Sequence, residues 1–242
     1  MRRRSDERAG ELLDALLEGR PVPGLTARAA AVLALPERGR YAVAVLRTGG
    51  GGTAEGRAAD EDGMRFLRRV RGDRETVVVA LGDREPDGLG PLLARWCPGA
   101  RGGIGPVADG LAGLAAARRL AETALATCPA GTAGVVRLEE RWQTALVAGQ
   151  PELSARLLTD VFGPLLALEP ADRALLVRTL EAWLECGGSA GRAAGRLYCH
   201  RNTVLNRLRR LEHLTSRSLS RPRELAETML ALDAFRLRAP QP

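Results

Sequence analysis

Hydrophobic positions repeat at two spacings along the chain, and the spacing changes near residue 140. Residues 5–19 place leucines on one helical face and end at a glycine, and residues 25–35 have the composition of a second helix. Two short apolar runs rich in β-branched residues, 41–47 and 75–83, predict strands. Beyond residue 140 each segment carries leucines at helical spacing. The pattern therefore predicts an α+β protein in which an α/β domain precedes an all-helical one.

Four regions follow from these changes in pattern. We expect N-terminal helices over residues 1–35, an α/β domain over 36–140, a helical connector over 141–170 and a helical C-terminal domain over 171–242. The segment 63–70 fits either a helix or a strand. The other elements of the α/β domain are predicted as helices over 88–97 and 110–128 and as strands over 100–107 and 134–140.

The last quarter of the chain contains a segment that predicts two short helices set at an angle. Ser189 is a good N-cap for a helix that ends at Leu197. The small side chains of Ala193 and Ala194 on this helix allow a second helix to pack closely against it. A tight break at residues 198–199 separates the two helices. The spacing favours a helix–turn–helix.

The second helix runs from about His200 to His213 and has one narrow apolar edge. Val204, Leu208 and Leu211 lie at positions i, i+4 and i+7, which predicts a buried stripe. The opposite edge carries arginine and asparagine, which hydrogen-bond guanine and adenine in the major groove, and the amides at a helix N-terminus favour a phosphate. An ordinary amphipathic helix with a solvated arginine face has the same pattern, so both interpretations stay open on the pattern alone. The residues predicted to contact DNA are His200, Arg201, Asn202, Thr203, Asn206, Arg207, Arg209 and Arg210.

The charge of the chain favours the first interpretation. All 36 basic residues are arginines, and the formal net charge is +7, which suits a polyanionic partner. No run of about 18 apolar residues is present, and the basic start of the chain lacks the apolar segment of a signal peptide. We therefore expect no membrane span and a cytoplasmic location.

Few residues offer metal or cofactor chemistry. The four cysteines contain no Cys-x-x-Cys pair, and the only histidines are His200 and His213. A zinc site at Cys199 and these two histidines would lack a fourth ligand. The glycine loop at 48–56 is not followed by Gly-Lys-Ser/Thr, and the glycines of 100–107 form no dinucleotide motif. We expect no cofactor and no metal.

Residues 175–237 resemble the C-terminal helix–turn–helix domain of PucR/CdaR-type transcriptional regulators. The resemblance rests on Arg-Thr-Leu at 178–180, on His-Arg-Asn-Thr at 200–203 and on Arg-Leu-Arg-Arg-Leu-Glu at 207–212. It implies a Fis-type fold and DNA binding for the helical C-terminal domain. Leu-Asn at 205–206 departs from the Arg-Tyr or similar pair that the family often has, which leaves the base preference open.

Residues 102–125 resemble part of the GGDEF-like domain that precedes this module in such regulators. In active diguanylate cyclases a hairpin carries Gly-Gly-Asp/Glu-Glu-Phe, whereas the corresponding residues 71–76 are Arg-Gly-Asp-Arg-Glu-Thr. One glycine is missing, and Arg74 puts a positive charge where Mg²⁺ would have to bind. The resemblance therefore implies a degenerate GGDEF-like domain over 36–140 that has kept the fold and lost the reaction, and we expect no enzyme.

These features together predict a sequence-specific transcriptional regulator that reads the major groove of double-stranded DNA with helix 200–213. One helix–turn–helix buries little surface, so we expect a homodimer on paired half-sites. The sequence identifies no small-molecule effector. Two alternatives stay open: a helical protein–protein interaction module and a nucleotide-sensing protein without catalysis.

Overall fold

Two compact units make up the described part of the chain. The computed structural model describes residues 2–47, 59–61, 63–128 and 133–238. The chain passes from the first unit to the second between residues 145 and 146. The glycine loop predicted at 48–56 lies outside the described residues. The four regions expected from the sequence stay predictions.

Helices and strands are mixed in the N-terminal unit, and short 3-10 turns precede two of its helices. The helices are α1 (Arg2–Glu18), α2 (Leu25–Leu33), α3 (Leu89–Trp96) and α4 (Leu114–Ala126). The strands are β1 (Arg38–Arg47), β2 (Ala59–Glu61), β3 (Met64–Arg71), β4 (Arg74–Ala80), β5 (Arg101–Ile104), β6 (Ala108–Gly110) and β7 (Gly134–Arg137). Helix α5 (Trp142–Gly149) carries the chain across the boundary between the units.

One seven-stranded sheet lies at the centre of this unit. Its strands follow the order β2-β3-β4-β1-β5-β7, with β6 paired to β1 outside this path. Neighbouring strands run antiparallel, except that β5 and β7 are parallel. The segment 63–70, which fits either element by its pattern, lies largely in strand β3, because residues from Arg65 to Arg71 pair with β4.

Helices cover both faces of the sheet, so strand β1 is buried on both sides. Tyr41 and Val43 belong to a cluster formed with α1, α2 and α4. Ala42, Ala44 and Leu46 belong to a second cluster, which includes the leucines of α3. A strand that is buried on both faces needs apolar side chains at successive positions, which explains the continuous apolar run in the sequence.

Helix α4 packs against the segment of strand β5 more closely than side chains would allow. A Cβ atom on Gly103 would lie 2.2 Å from the backbone nitrogen of Leu125, and one on Gly105 would lie 2.2 Å from the carbonyl oxygen of Ala117. Real Cβ atoms do not approach other atoms this closely. These glycines, which form no dinucleotide motif, therefore allow the close packing of helix on strand.

A carboxylate on α1 lies between two arginines of β3. Asp14 accepts a hydrogen bond from Arg69 Nε at 2.9 Å, and its Oδ2 lies 2.9 Å from Nη2 of Arg71. Burial raises the pKa of Asp14, but the hydrogen bonds from the two guanidinium groups outweigh burial and hold this pKa below its ordinary value of 3.8. The ionised carboxylate therefore stabilises the folded state above that ordinary value, and the contribution is lost as the pH falls through the lowered pKa.

Helices alone form the described part of the C-terminal unit. They are α6 (Pro151–Leu166), α7 (Pro170–Glu185), α8 (Ala190–Arg196), α9 (Arg201–Thr215) and α10 (Pro222–Arg238). Their buried side chains make one core, to which Phe162, Leu180, Leu208 and Leu232 belong. Among the residues that the structure describes, no helix is long and apolar enough to cross a membrane. The predicted fold class, an α/β domain followed by an all-helical one, is confirmed.

Three carboxylates on α7 each bind an arginine on one of the last three helices. The pairs are Asp172–Arg210 (2.8 Å), Glu181–Arg236 (2.9 Å) and Glu185–Arg196 (2.6 Å). Exposed ion pairs contribute about 0–1 kcal/mol each, so the apolar core supplies most of the stability of this unit. The pairs nevertheless set where three of the guanidinium groups lie.

Replacing Gly103 by alanine is expected to lower the free energy of unfolding of the N-terminal unit by at least about 2 kcal/mol, because the added methyl group overlaps the backbone of α4. Gly88→Ala is the control, since a Cβ atom there has no neighbour within 4 Å, and it should change stability by less than about 0.5 kcal/mol. Urea unfolding followed by circular dichroism measures both variants. Equal stability of the two would contradict the packing described here.

Replacing Asp14 by asparagine is expected to lower the free energy of unfolding at neutral pH by about 1–2 kcal/mol, since two arginines lose a charged partner. The difference from the unmodified protein should shrink as the pH falls through the lowered pKa of Asp14, because the carboxylate is protonated below that pKa. Urea unfolding over a range of pH measures this difference. Asp83→Asn, at an exposed position, is the control. A difference that persists unchanged at about pH 2 would show that the ionised carboxylate of Asp14 is not the source of the stabilisation.

Candidate nucleic-acid interface

Helices α8 and α9 form the helix–turn–helix that the sequence predicts. Ser189 caps α8, because its Oγ accepts a hydrogen bond from the backbone N–H of Arg192 at 3.3 Å. Along α9, Val204, Leu208 and Leu211 are buried in the core of the C-terminal unit, which confirms the predicted stripe. The burial of this stripe determines which edge of α9 is left at the surface.

The residues predicted to contact DNA lie along and beside the opposite edge of α9. None of them is buried within the protein. The exposed members are His200, Arg201, Asn202, Asn206, Arg209 and Arg210. Thr203 and Arg207 are half-buried and flank the stripe. The arrangement brings both asparagines of the chain and four arginines to one helix.

His200 is the N-cap of α9 as well as a predicted contact. Its Nδ1 accepts a hydrogen bond from the backbone N–H of Asn202 at 3.2 Å. A neutral ring that accepts at Nδ1 carries its hydrogen on Nε2, and the side chain is exposed. The sequence predicts that the first amides of α9 favour a phosphate, but the N–H of Asn202 is already bound by this cap.

The arginines of α9 differ in what holds them. Arg210 forms an ion pair with Asp172 of α7 at 2.8 Å. Arg209 donates a hydrogen bond from Nη1 to Oδ1 of Asn206 at 3.3 Å. Arg201 and Arg207 have no acidic partner within the described part of the chain. Two guanidinium groups in the first half of α9 are therefore available for an anion outside the protein.

Two exposed side chains of the helix–turn–helix are missing from the predicted set. Arg192 is exposed on α8. Tyr198, in the turn between the helices, is 97% exposed and has a left-handed backbone with φ of 51°. The sequence carries no signal for a left-handed conformation at a tyrosine, because that conformation favours glycine.

The hairpin of β3 and β4 is the site that would carry catalysis in a cyclase. Its turn residue Gly72 has a φ of 62°, and the adjoining Asp73 is bound by Arg47 at 2.6 Å. Arg74 lies 3.8 Å from Glu122 of α4. Within residues 2–47, 59–61, 63–128 and 133–238, no group of three or more His, Cys, Asp or Glu side chains is arranged to hold a metal ion. The expectation that this domain has lost catalysis stays a prediction.

The second acidic residue of the hairpin has a packing role. Glu75 is 3% exposed, and its carboxylate binds Arg68 on the neighbouring strand. The Sγ of Cys97 lies 3.7 Å from Oε2 of Glu75 and 3.8 Å from Nη2 of Arg68. Burial raises the pKa of the Cys97 thiol, and the negative charge of Glu75 raises it further. The thiol is thus held protonated, which makes it a poor nucleophile.

Comparisons with known proteins match one family to each of the two units of the chain. Residues 18–127 match the family described as GGDEF-like domain, and residues 176–234 match the one described as PucR C-terminal helix-turn-helix domain. Uncharacterised proteins of Mycobacterium bovis and Mycobacterium tuberculosis are 33% identical over 144 residues, which are 57% of this chain and 33% of theirs. The chain therefore spans about a third of the length of these relatives.

One solved structure is also similar. The crystal structure of a regulator of polyketide synthase expression from Bifidobacterium adolescentis is 19% identical, with 94% of this chain and 96% of that chain covered and a TM-score of 0.39. The two family matches show that the chain contains a GGDEF-like domain followed by a PucR C-terminal helix–turn–helix domain, which confirms the domain arrangement implied by its resemblance to PucR/CdaR-type regulators.

Proposed function

We propose that the chain is a sequence-specific DNA-binding transcriptional regulator that reads the major groove of double-stranded DNA with α9. The observation that carries the proposal is the exposed edge of α9, which presents Asn202, Asn206 and Arg201 while the opposite edge is buried. Arginine donates two hydrogen bonds to guanine, and asparagine pairs with adenine through its amide. A helix with one buried apolar edge and an exposed edge of arginine and asparagine is suited to the major groove.

The position of each residue along α9 suggests its task. The N-terminal residues of a recognition helix contact base edges, so Arg201, Asn202 and Asn206 are proposed to read bases. Arg210 lies nine residues after Arg201, about 13.5 Å along the helix axis, and forms an ion pair with Asp172. It is therefore proposed to approach a phosphate. The same task is assigned to His200, Thr203, Arg207 and Arg209.

A homodimer is proposed as the DNA-binding form. A single helix–turn–helix buries little surface on DNA and reads only a few base pairs, whereas two copies on a palindromic site double both. The two copies of α9 would then lie about 34 Å apart, or a multiple of that distance, along one side of the duplex. Sedimentation in the presence of a selected duplex tests the stoichiometry.

Replacing Asn202 or Asn206 by alanine is expected to relax base preference at one position of each half-site, with a loss of discrimination of about 1–3 kcal/mol. Selection from a random duplex library with each variant measures this effect. Arg210→Ala should keep the base preference of the unmodified protein and only weaken binding, because Arg210 lies away from the N-terminal residues of α9 that are proposed to contact bases. An Arg210→Ala protein with an altered consensus would contradict the division of tasks.

Replacing Arg207 by alanine is expected to weaken binding to all duplexes alike and to reduce the slope of log K against log salt by about 0.9, because one phosphate contact is lost. The matched control is Arg156→Ala on α6, where the guanidinium group is exposed and paired with Asp160 at 3.0 Å. Fluorescence anisotropy with one labelled duplex at several salt concentrations measures both slopes. Equal slopes for the two variants would remove Arg207 from the interface.

A further inference from the structure

Tyr198 occupies the left-handed position of a Schellman motif at the end of α8. The N–H of Cys199 donates to the carbonyl of Ala194 at 3.1 Å, and the N–H of Tyr198 donates to the carbonyl of Gly195 at 3.4 Å. These two hydrogen bonds define the motif, and glycine is the residue that usually occupies its left-handed position. Tyr198 has a φ of 51° there, a conformation that costs free energy for any residue with a Cβ atom.

Other helices of this chain show what the position ordinarily contains. Gly19 follows α1 with a φ of 67°, and Gly187 follows α7 with a φ of 62°. Ala34 and Ser216 take the same conformation after α2 and α9 but have small side chains. Among the described residues with positive φ, Tyr198 is the one with a large side chain.

The folded C-terminal unit gains no visible contact from this tyrosine. The side chain is 97% exposed, and its hydroxyl group makes no hydrogen bond within the described residues. The next residue, Cys199, packs against the core, so the turn is anchored by its neighbour. A strained backbone together with a fully exposed aromatic ring points to a role outside the fold.

The place of Tyr198 in the helix–turn–helix indicates what it meets. The first helix of this motif crosses the DNA backbone while the second enters the major groove, so the turn between them lies beside the phosphates at the edge of the groove. Tyr198 stands three residues before Arg201, the first residue of α9. A phenolic hydroxyl group is one of the donors that proteins use toward phosphate oxygens.

We propose that Tyr198 binds DNA, with its hydroxyl group donating a hydrogen bond to a backbone phosphate at the edge of the major groove. The contact rests on the proposed function, since it requires that α9 enters the groove. It positions α9 and reads no base. A phenol carries no positive charge, so its contact with a phosphate releases no counterion. Loss of the contact should therefore leave the salt dependence of binding unchanged.

Two variants of the full chain separate the hydroxyl group from the backbone strain. Tyr198→Phe removes only the hydroxyl group and should weaken binding about 2- to 10-fold on consensus and unrelated duplexes alike, with an unchanged salt slope. Tyr198→Gly removes the side chain and relieves the strain. It should weaken binding at least as much and yet raise the urea midpoint of unfolding.

Ser216→Gly is the matched control, because Ser216 has the same φ of 51° at the other end of α9, about 22 Å away along the helix. It should raise the urea midpoint and leave DNA affinity as in the unmodified protein. Fluorescence anisotropy and urea unfolding on the same preparations give both readouts. The opposite signs for stability and binding at Tyr198, with stability alone changed at Ser216, are the expected result.

The possible failures are distinguishable. A Tyr198→Phe protein that binds within twofold of the unmodified protein overturns the hydrogen bond to phosphate and leaves the proposed function standing. A Tyr198→Gly protein with a lower urea midpoint also overturns the inference, because the side chain would then stabilise the fold. An unmodified protein that binds no duplex overturns both the inference and the proposed function.

Discussion

The buried stripe of α9 is the contact on which the proposed DNA-binding surface depends. Val204, Leu208 and Leu211 pack into the core of the C-terminal unit, and the helix period then places Asn202 and Asn206 at the surface. Burial of an aliphatic side chain contributes about 1.5–3 kcal/mol, whereas an exposed ion pair contributes about 0–1 kcal/mol. The stripe therefore determines which edge of α9 is outward, and the ion pairs around it only adjust single side chains.

The carboxylates of α7 divide the positive charge of the helix–turn–helix into two groups. Asp172 binds Arg210 and Glu185 binds Arg196, which partly neutralises the far end of α9 and the end of α8. Arg201 and Arg207 have no such partner in the described part of the chain. These two arginines without a carboxylate partner lie in the first half of α9, and the N-terminal residues of a recognition helix are the ones that enter the major groove.

The two edges of α9 were predictable from the sequence because the side of a helix on which a residue lies depends only on its number. The segment 63–70 was not, because a short run fits both periods until its pairing with β4 is known. The pair of Arg210 with Asp172 joins residues 38 positions apart, and no local pattern contains such a contact. The left-handed backbone of Tyr198 could not be predicted from the sequence either, because it depends on the path that the chain takes into α9.

The proposed function requires the outer edge of α9 to lie in the major groove. Methylation interference on a duplex selected from a random library tests this placement, because dimethyl sulfate marks guanine N7 in the major groove and adenine N3 in the minor groove. We expect N7 methylation of guanines within the selected half-sites to abolish binding and N3 methylation of adenines to leave binding unchanged. Interference confined to adenine N3, or no enriched sequence at all, would contradict it.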